Sequence, residues 1–159
     1  LDFFTKEKIL KNKYYAYELK DYFQSWSKIE SEKYNNIQFS IKNNDNNFII
    51  ESIEAGIAPI NFNNCKEQKK TIEKEMIKLF PNLVLNYGKE KNMYDDTGRV
   101  ITTDIYMNKL WNKGGMIRIM CVDRSKKIEQ ERGWVDSLRV IVNSKEFNIF
   151  IDKNAKLKQ

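Results

Sequence analysis

Histidine is absent from the chain. That removes Ser-His and Cys-His nucleophile pairs, histidine general bases and histidine-containing metal sites. Cysteine is scarce: Cys65 and Cys121 stand alone, too few for a four-cysteine metal site. The two prolines, Pro59 and Pro81, form no proline-rich linker. The six glycines form neither a Walker phosphate loop nor a Gly-x-Gly-x-x-Gly fingerprint. No apolar run approaches the ~18 residues of a membrane span, so the sequence contains no transmembrane segment. It opens Leu-Asp-Phe-Phe without an initiator Met, which leaves open an exported origin with a removed leader.

What is present suits a packed domain. Apolar residues make up 41% and aromatics 13% of 159 residues, enough for a core and the size of one domain spanning 1–159. Net charge is +6, which invites a nucleic-acid reading. The excess is spread along the chain, with nine basic against six acidic residues in 121–159 as its strongest bias. Nucleic-acid binders concentrate charge in a patch or stripe, so a solvated surface is the preferred reading.

Periodicity gives the organisation. A first helix is expected from about Thr5 to about Lys28. Thr5 is its cap, and Ile9, Leu10, Tyr14, Tyr17, Leu19, Phe23 and Trp26 form a core-facing stripe at 3–4 spacing. Ile37, Phe39 and Ile41 alternate with polar residues, the "NNDNN" run tolerates left-handed backbone, and "FIIESI" resumes a strand, which reads as a hairpin. A second helix runs from about Asn64 to about Phe80, its apolar stripe made by Ile72, Met76, Leu79 and Phe80. Counting back seven from Ile72 places Cys65 on the same buried side.

The rest is strand-like. It contains "LVLNYG", a turn at Asp95 to Gly98, a strand facing inward through Ile101, Ile105, Met107 and Trp111, a "KGG" turn at Lys113 to Gly115, "MIRIMCVD" and "LRVIV". "RSKKIEQERGW" is a loop or short helix, and residues 144–157 fit strand or helix. The expected fold is α+β: one mainly antiparallel sheet of about five to seven strands, with the N-terminal helix and the helix at about 64–80 packed on one face.

Cys65 carries the sharpest chemical question. A helix N-terminus beside Lys66, Lys69 and Lys70 lowers a thiol pKa, the case for a reactive thiolate. Its inward register and the missing histidine base oppose that. Cys121 lies on the apolar face of a strand that the second helix should cover, so a Cys65–Cys121 disulfide leads, ahead of two inert buried thiols. Such a disulfide closes a long loop, stabilises by about 4 kcal/mol in the chain-entropy model, and belongs to an oxidising compartment.

The carboxylates Glu51, Glu54, Asp95, Asp96, Asp104 and Asp123 supply a weaker, third reading, a carboxylate-dependent hydrolase in which two converge. No spacing singles out a pair. A second reading, an intracellular nucleic-acid-binding or adaptor protein, places Arg99, Lys109, Lys113, Arg118 and Arg124 on a sheet surface with Tyr106 and Trp111. The leading expectation is a non-enzymatic module that binds another protein, periplasmic or extracellular in a bacterium, as an inhibitor or toxin-neutralising immunity protein does. It calls for no cofactor and no metal. Arg124, Arg132, Trp134 and Arg139, in and just after the polar 124–136 segment, are the candidate contacts, because Trp and Arg dominate interface hot spots.

Overall fold

In a computed structural model, residues 5–29, 31, 33–82, 84–89, 91–92, 98–106 and 115–154 are described. The chain forms one α+β unit around a single antiparallel sheet. Its order is α1 (Lys6–Lys11), β1 (Lys13–Tyr14), β2 (Tyr22–Lys28), β3 (Asn36–Lys42), β4 (Ile50–Ile57), α2 (Phe62–Leu79), β5 (Val84–Tyr87), β6 (Lys91–Asn92), β7 (Gly98–Tyr106), β8 (Met116–Arg124), α3 (Lys126–Arg132), β9 (Ser137–Asn143) and α4 (Lys145–Asn154). The strands lie in the order β1-β2-β3-β4-β9-β8-β7-β5, with β6 also pairing β7. The count exceeds five to seven because the two-residue strands β1 and β6 carry no periodicity of their own and β2 lies in a stretch expected to be helical. No helix among the described residues is long and apolar enough to cross a membrane.

The expected first helix is corrected. Thr5 does cap a helix, its hydroxyl accepting from the Lys8 amide at 3.3 Å, but that helix ends at Lys11. Tyr22 to Lys28 is a strand registered against β3 over its whole length. The aromatics there satisfy both periods. Phe23 and Ser25 turn to one face while Tyr22, Gln24 and Trp26 turn to the other, and long-range pairing decides between the two. The β3–β4 hairpin is as expected: Asn44 and Phe48 adopt positive φ, and the Asp45 carboxylate accepts from the Asn47 and Ile49 amides. Lys145–Asn154 resolves as helix, and the polar 124–136 segment contains α3. Met107, Lys109, Trp111, Lys113, Asp95 and Asp96 lie outside the described residues.

On one sheet face, here the inner face, α2 packs over Ile105, Ile119, Cys121 and Leu138. Asn61 caps it, accepting from the Asn64 amide at 2.9 Å, so the helix starts two residues before expectation. Its buried side also differs. Phe62, Cys65, Lys69 and Glu73 are buried and Ile72 and Met76 half-buried, while Leu79 and Phe80 are 68% and 44% exposed. The last turn therefore runs past the core. At the far end of this face α1 sets Ile9 against Phe23 and Ile41. α1 and α2 thus share the inner face, whereas α4, in the stretch left open between strand and helix, packs Phe147 and Phe150 with Tyr22, and Tyr17 beside them, on the opposite, outer face.

Two links tie α2 to the sheet. The sulfurs of Cys65 and Cys121 lie 2.02 Å apart, disulfide bonding distance, with Cα atoms 5.8 Å apart. One turn on, the Lys69 ammonium donates to Glu73 Oε1 and to Thr103 Oγ1, both at 2.5 Å. Lys69 and Glu73 are buried and Thr103 fully so. A charge there is tolerated only with such partners. Replacing Lys69 alone by Met leaves the Glu73 carboxylate buried and unpaired, and should cost about 3–5 kcal/mol. The double variant K69M/E73L should recover most of that loss, and denaturant unfolding of the two variants measures the difference.

Candidate interaction site on the outer sheet face

Register arranges the outer face in transverse rows. Gln24, Ser40, Ser52, Asn143 and Met116 form a row buried at the α4 end of the sheet. Its polar groups are partly satisfied internally: the Ser52 hydroxyl donates to Asn143 Oδ1 at 2.6 Å, and the Asn143 amide donates to Asn148 of α4 at 2.9 Å. Val122 and Ser137, paired at the opposite end, are buried as well, where the β8–β9 connection carries α3. Between these ends lie two rows that remain open or half-open. The first is Trp26, Gln38, Glu54, Ile141, Arg118 and Asp104; the second is Lys28, Asn36, Gly56, Arg139, Met120 and Thr102. Asn36 sits over Gly56 so closely that a Cβ there would meet its Oδ1 at 2.6 Å, so a larger residue requires the Asn36 side chain to move.

The open rows carry aromatic and guanidinium groups in fixed positions. Trp26 is 44% exposed and Tyr14 39%. The Tyr14 hydroxyl donates to Gln38 Oε1 at 2.6 Å, laying the ring over the sheet. Arg118 forks Asp104, with Nε to Oδ1 at 2.6 Å and a terminal nitrogen to Oδ2 at 3.0 Å. Arg139 is held more loosely: Nε donates to Ser137 Oγ at 3.2 Å, and one terminal nitrogen stands 3.3 Å from Glu54 Oε1. Burial pushes the Glu54 carboxyl above its ordinary pKa, and Arg139 opposes that rise only in part. Tyr14 and Tyr17 are both pushed up to about 12, chiefly by burial and next by the Glu54 charge.

Three of the four residues expected to contact a partner come together. Trp134, 46% exposed, has the guanidinium carbons of Arg124 and Arg132 each 5.1 Å from its ring. Gly133 makes this possible. It ends α3 in the left-handed conformation with φ 66°, so the chain turns sharply and presents Trp134 back towards the helix's last residue. The Arg124 amide donates to Asp136 Oδ1 at 2.6 Å, closing the turn from the other side. Arg139 is not in this cluster; it lies further along the same face, beside Glu54.

The remaining expected sets do not assemble. Arg99 lies on the inner face with Asp123 at 2.6 Å and Phe62 beneath it, opposite Arg118 and Arg124, so the basic sheet platform is split. Asp104 and Glu54 share a row but are separated by β8 and β9, about 14 Å at the usual strand spacing. Paired glycosidase carboxylates are no more than about 9.5 Å apart. Asp123 faces the other way. Glu51 accepts from the Ser144 hydroxyl at the start of α4. Among the described residues no three His, Cys, Asp or Glu side chains form a metal-holding group.

Sequence reasoning missed Tyr14, Tyr17 and Trp26 as outer-face residues by assigning them to a helix. The available signal was the alternation of Tyr22, Gln24 and Trp26 against Phe23 and Ser25. Comparison with protein-family models, curated proteins and solved structures found no match.

The Glu54 shift has a signed consequence for stability. A carboxyl whose folded pKa exceeds its unfolded value, ordinarily about 4.3, favours folding fully below the unfolded value and loses that contribution as pH rises through the folded one. Relative to the parent, Glu54→Gln should therefore gain in melting temperature as pH rises from below the unfolded carboxyl pKa to neutrality. Parallel thermal melts across that range check the sign.

Proposed function

We propose that this chain is a non-enzymatic module that binds another protein outside the cytosol, in a bacterial cell envelope or the extracellular space, in the manner of an inhibitor or immunity-type protein. The carrying observation is Trp134, an exposed indole with the guanidiniums of Arg124 and Arg132 over its ring. Large aromatic and Arg side chains fixed before contact are what interface hot spots consist of, because little rotamer freedom remains to be lost on binding. The open rows of the outer face extend the same surface with Trp26, Tyr14 and Arg139. The Cys65–Cys121 pair supports the location, since disulfides persist in oxidising compartments. The scattered carboxylates offer a hydrolase no paired site among the described residues.

Two measurements test this reading. Intact mass of protein taken from its native cells, alkylated before and after reduction, should show both cysteines blocked until reductant is added; thiols alkylated without reductant would sink the exported location. Crosslinked capture from the same cells should yield a protein partner whose recovery falls by about thirtyfold for Trp134→Ala, the size of a hot-spot loss of about 2 kcal/mol. Undiminished recovery with Trp134→Ala would refute the assigned surface.

A further inference from the structure

The three arginine–carboxylate pairs among the described residues are not equivalent. Arg118 spends two nitrogens on Asp104, and Arg99 lies 2.6 Å from Asp123. Arg139 stands 3.3 Å from a single Glu54 oxygen, its side chain is 37% exposed, and its second terminal nitrogen has no partner among the described residues. Guanidinium favours two parallel bonds to one carboxylate, so this one is under-used. Its partner is under-hydrated: the Glu54 side chain is 17% exposed and lies near Tyr14 and Tyr17 as well as Arg139. We infer that Arg139 is the anchor of a carboxylate-binding subsite on the outer sheet face, filled at rest by Glu54 and taken over by an acidic side chain of a partner protein. This rests on the protein-binding reading and adds the partner's chemistry to it.

Charge complementarity selects that occupant. The chain carries a net charge of +6, and Lys28, Arg118 and Arg139 on the open rows, with Arg124 and Arg132 at their α3 end, outnumber the carboxylates Glu54, Asp104 and Asp136 there. A solvated partner carboxylate can compete for the half-exposed Arg139 guanidinium, which Glu54 engages through a single oxygen from the neighbouring strand β4. Once displaced, Glu54 loses the Arg139 contact that partly offsets its raised pKa, so its protonated form is favoured further. Tyr14 and Tyr17, the other ionisable groups against it, stay neutral far above neutral pH, and Gln38 carries no charge. Occupation is therefore coupled to proton uptake at Glu54, and it strengthens as pH falls for as long as the incoming carboxylate stays ionised.

A short oligo-glutamate peptide is the probe, with a short single-stranded oligothymidylate as the competing anion, both by calorimetry in buffers of different ionisation enthalpy. Arg139→Gln should weaken peptide binding about tenfold or more, the scale of a charge-assisted hydrogen bond. Lys127→Gln, removing an exposed charge elsewhere, should change it by about twofold or less. Glu54→Gln should tighten it about threefold or more and abolish the proton uptake, an outcome opposite to any general loss of fold. Equal effects of R139Q and K127Q, weakening by E54Q, or tighter binding of the oligothymidylate would overturn the subsite. If R139Q leaves capture of the native partner intact while W134A removes it, the subsite fails and the protein-binding reading stands. If neither variant affects capture, both fail.

Discussion

The placement of α2 over β7 and β8 governs the rest of the molecule. Two contacts one helical turn apart set it, the Cys65–Cys121 sulfurs and the Lys69 ammonium on Thr103. Apolar packing alone is non-directional and leaves a helix free to slide along a sheet by a residue's height at small cost. A buried ammonium is intolerant of such sliding, because moving it strands a charge in a medium that cannot solvate it. Glu73, one turn further along, completes the neutralisation from within the helix. The same inner face supplies most of the apolar core, so fixing α2 fixes which side of the sheet is closed.

The outer face is what remains once that side is committed. Among the described residues, α4 and the α3 connection cover it at its two ends, and the rows between carry mainly polar, charged and aromatic side chains, with Ile141 and Met120 among them. Self-pairing keeps those rows from being sticky. Asp104 occupies Arg118, Gln38 accepts from Tyr14, and Glu54 attends Arg139. A ligand there has to compete with an existing partner, which favours selectivity over raw affinity.

Much of this was legible in the sequence, and the failures have definite causes. Period-2 alternation in 37–41 and 101–105 and the Asn-rich turn identified the central strands, and the register from Ile72 turned Cys65 inward towards Cys121. The first 28 residues misled because Ile9 and the aromatics at 14, 17, 23 and 26 satisfy a helical stripe, while the deciding energy, the ladder to β3, is non-local. Lys69 and Glu73 were invisible as core residues, since a charged i,i+4 pair on a helix normally marks a solvated face. Of the candidate contacts, Arg132 and Trp134 lie close in sequence. Arg124 joins them only because α3 and the left-handed Gly133 bring the β9 end of the turn back to β8.

The strand order carries a kinetic consequence. β4 and β9 are neighbours at the centre of the sheet, Ile57 opposite Leu138, although α2, the four strands β5–β8 and α3 intervene along the chain. The sheet's two halves, β1–β4 and β5–β9, each build from hairpin-like neighbours, whereas their junction requires closure of a loop spanning half the molecule. Loop-closure entropy makes that junction late and folding slow relative to local hairpins. Until it closes, β4 and β9 present bare edges to one another and to any other chain nearby, so the central seam is where newly made copies would exchange strands or aggregate.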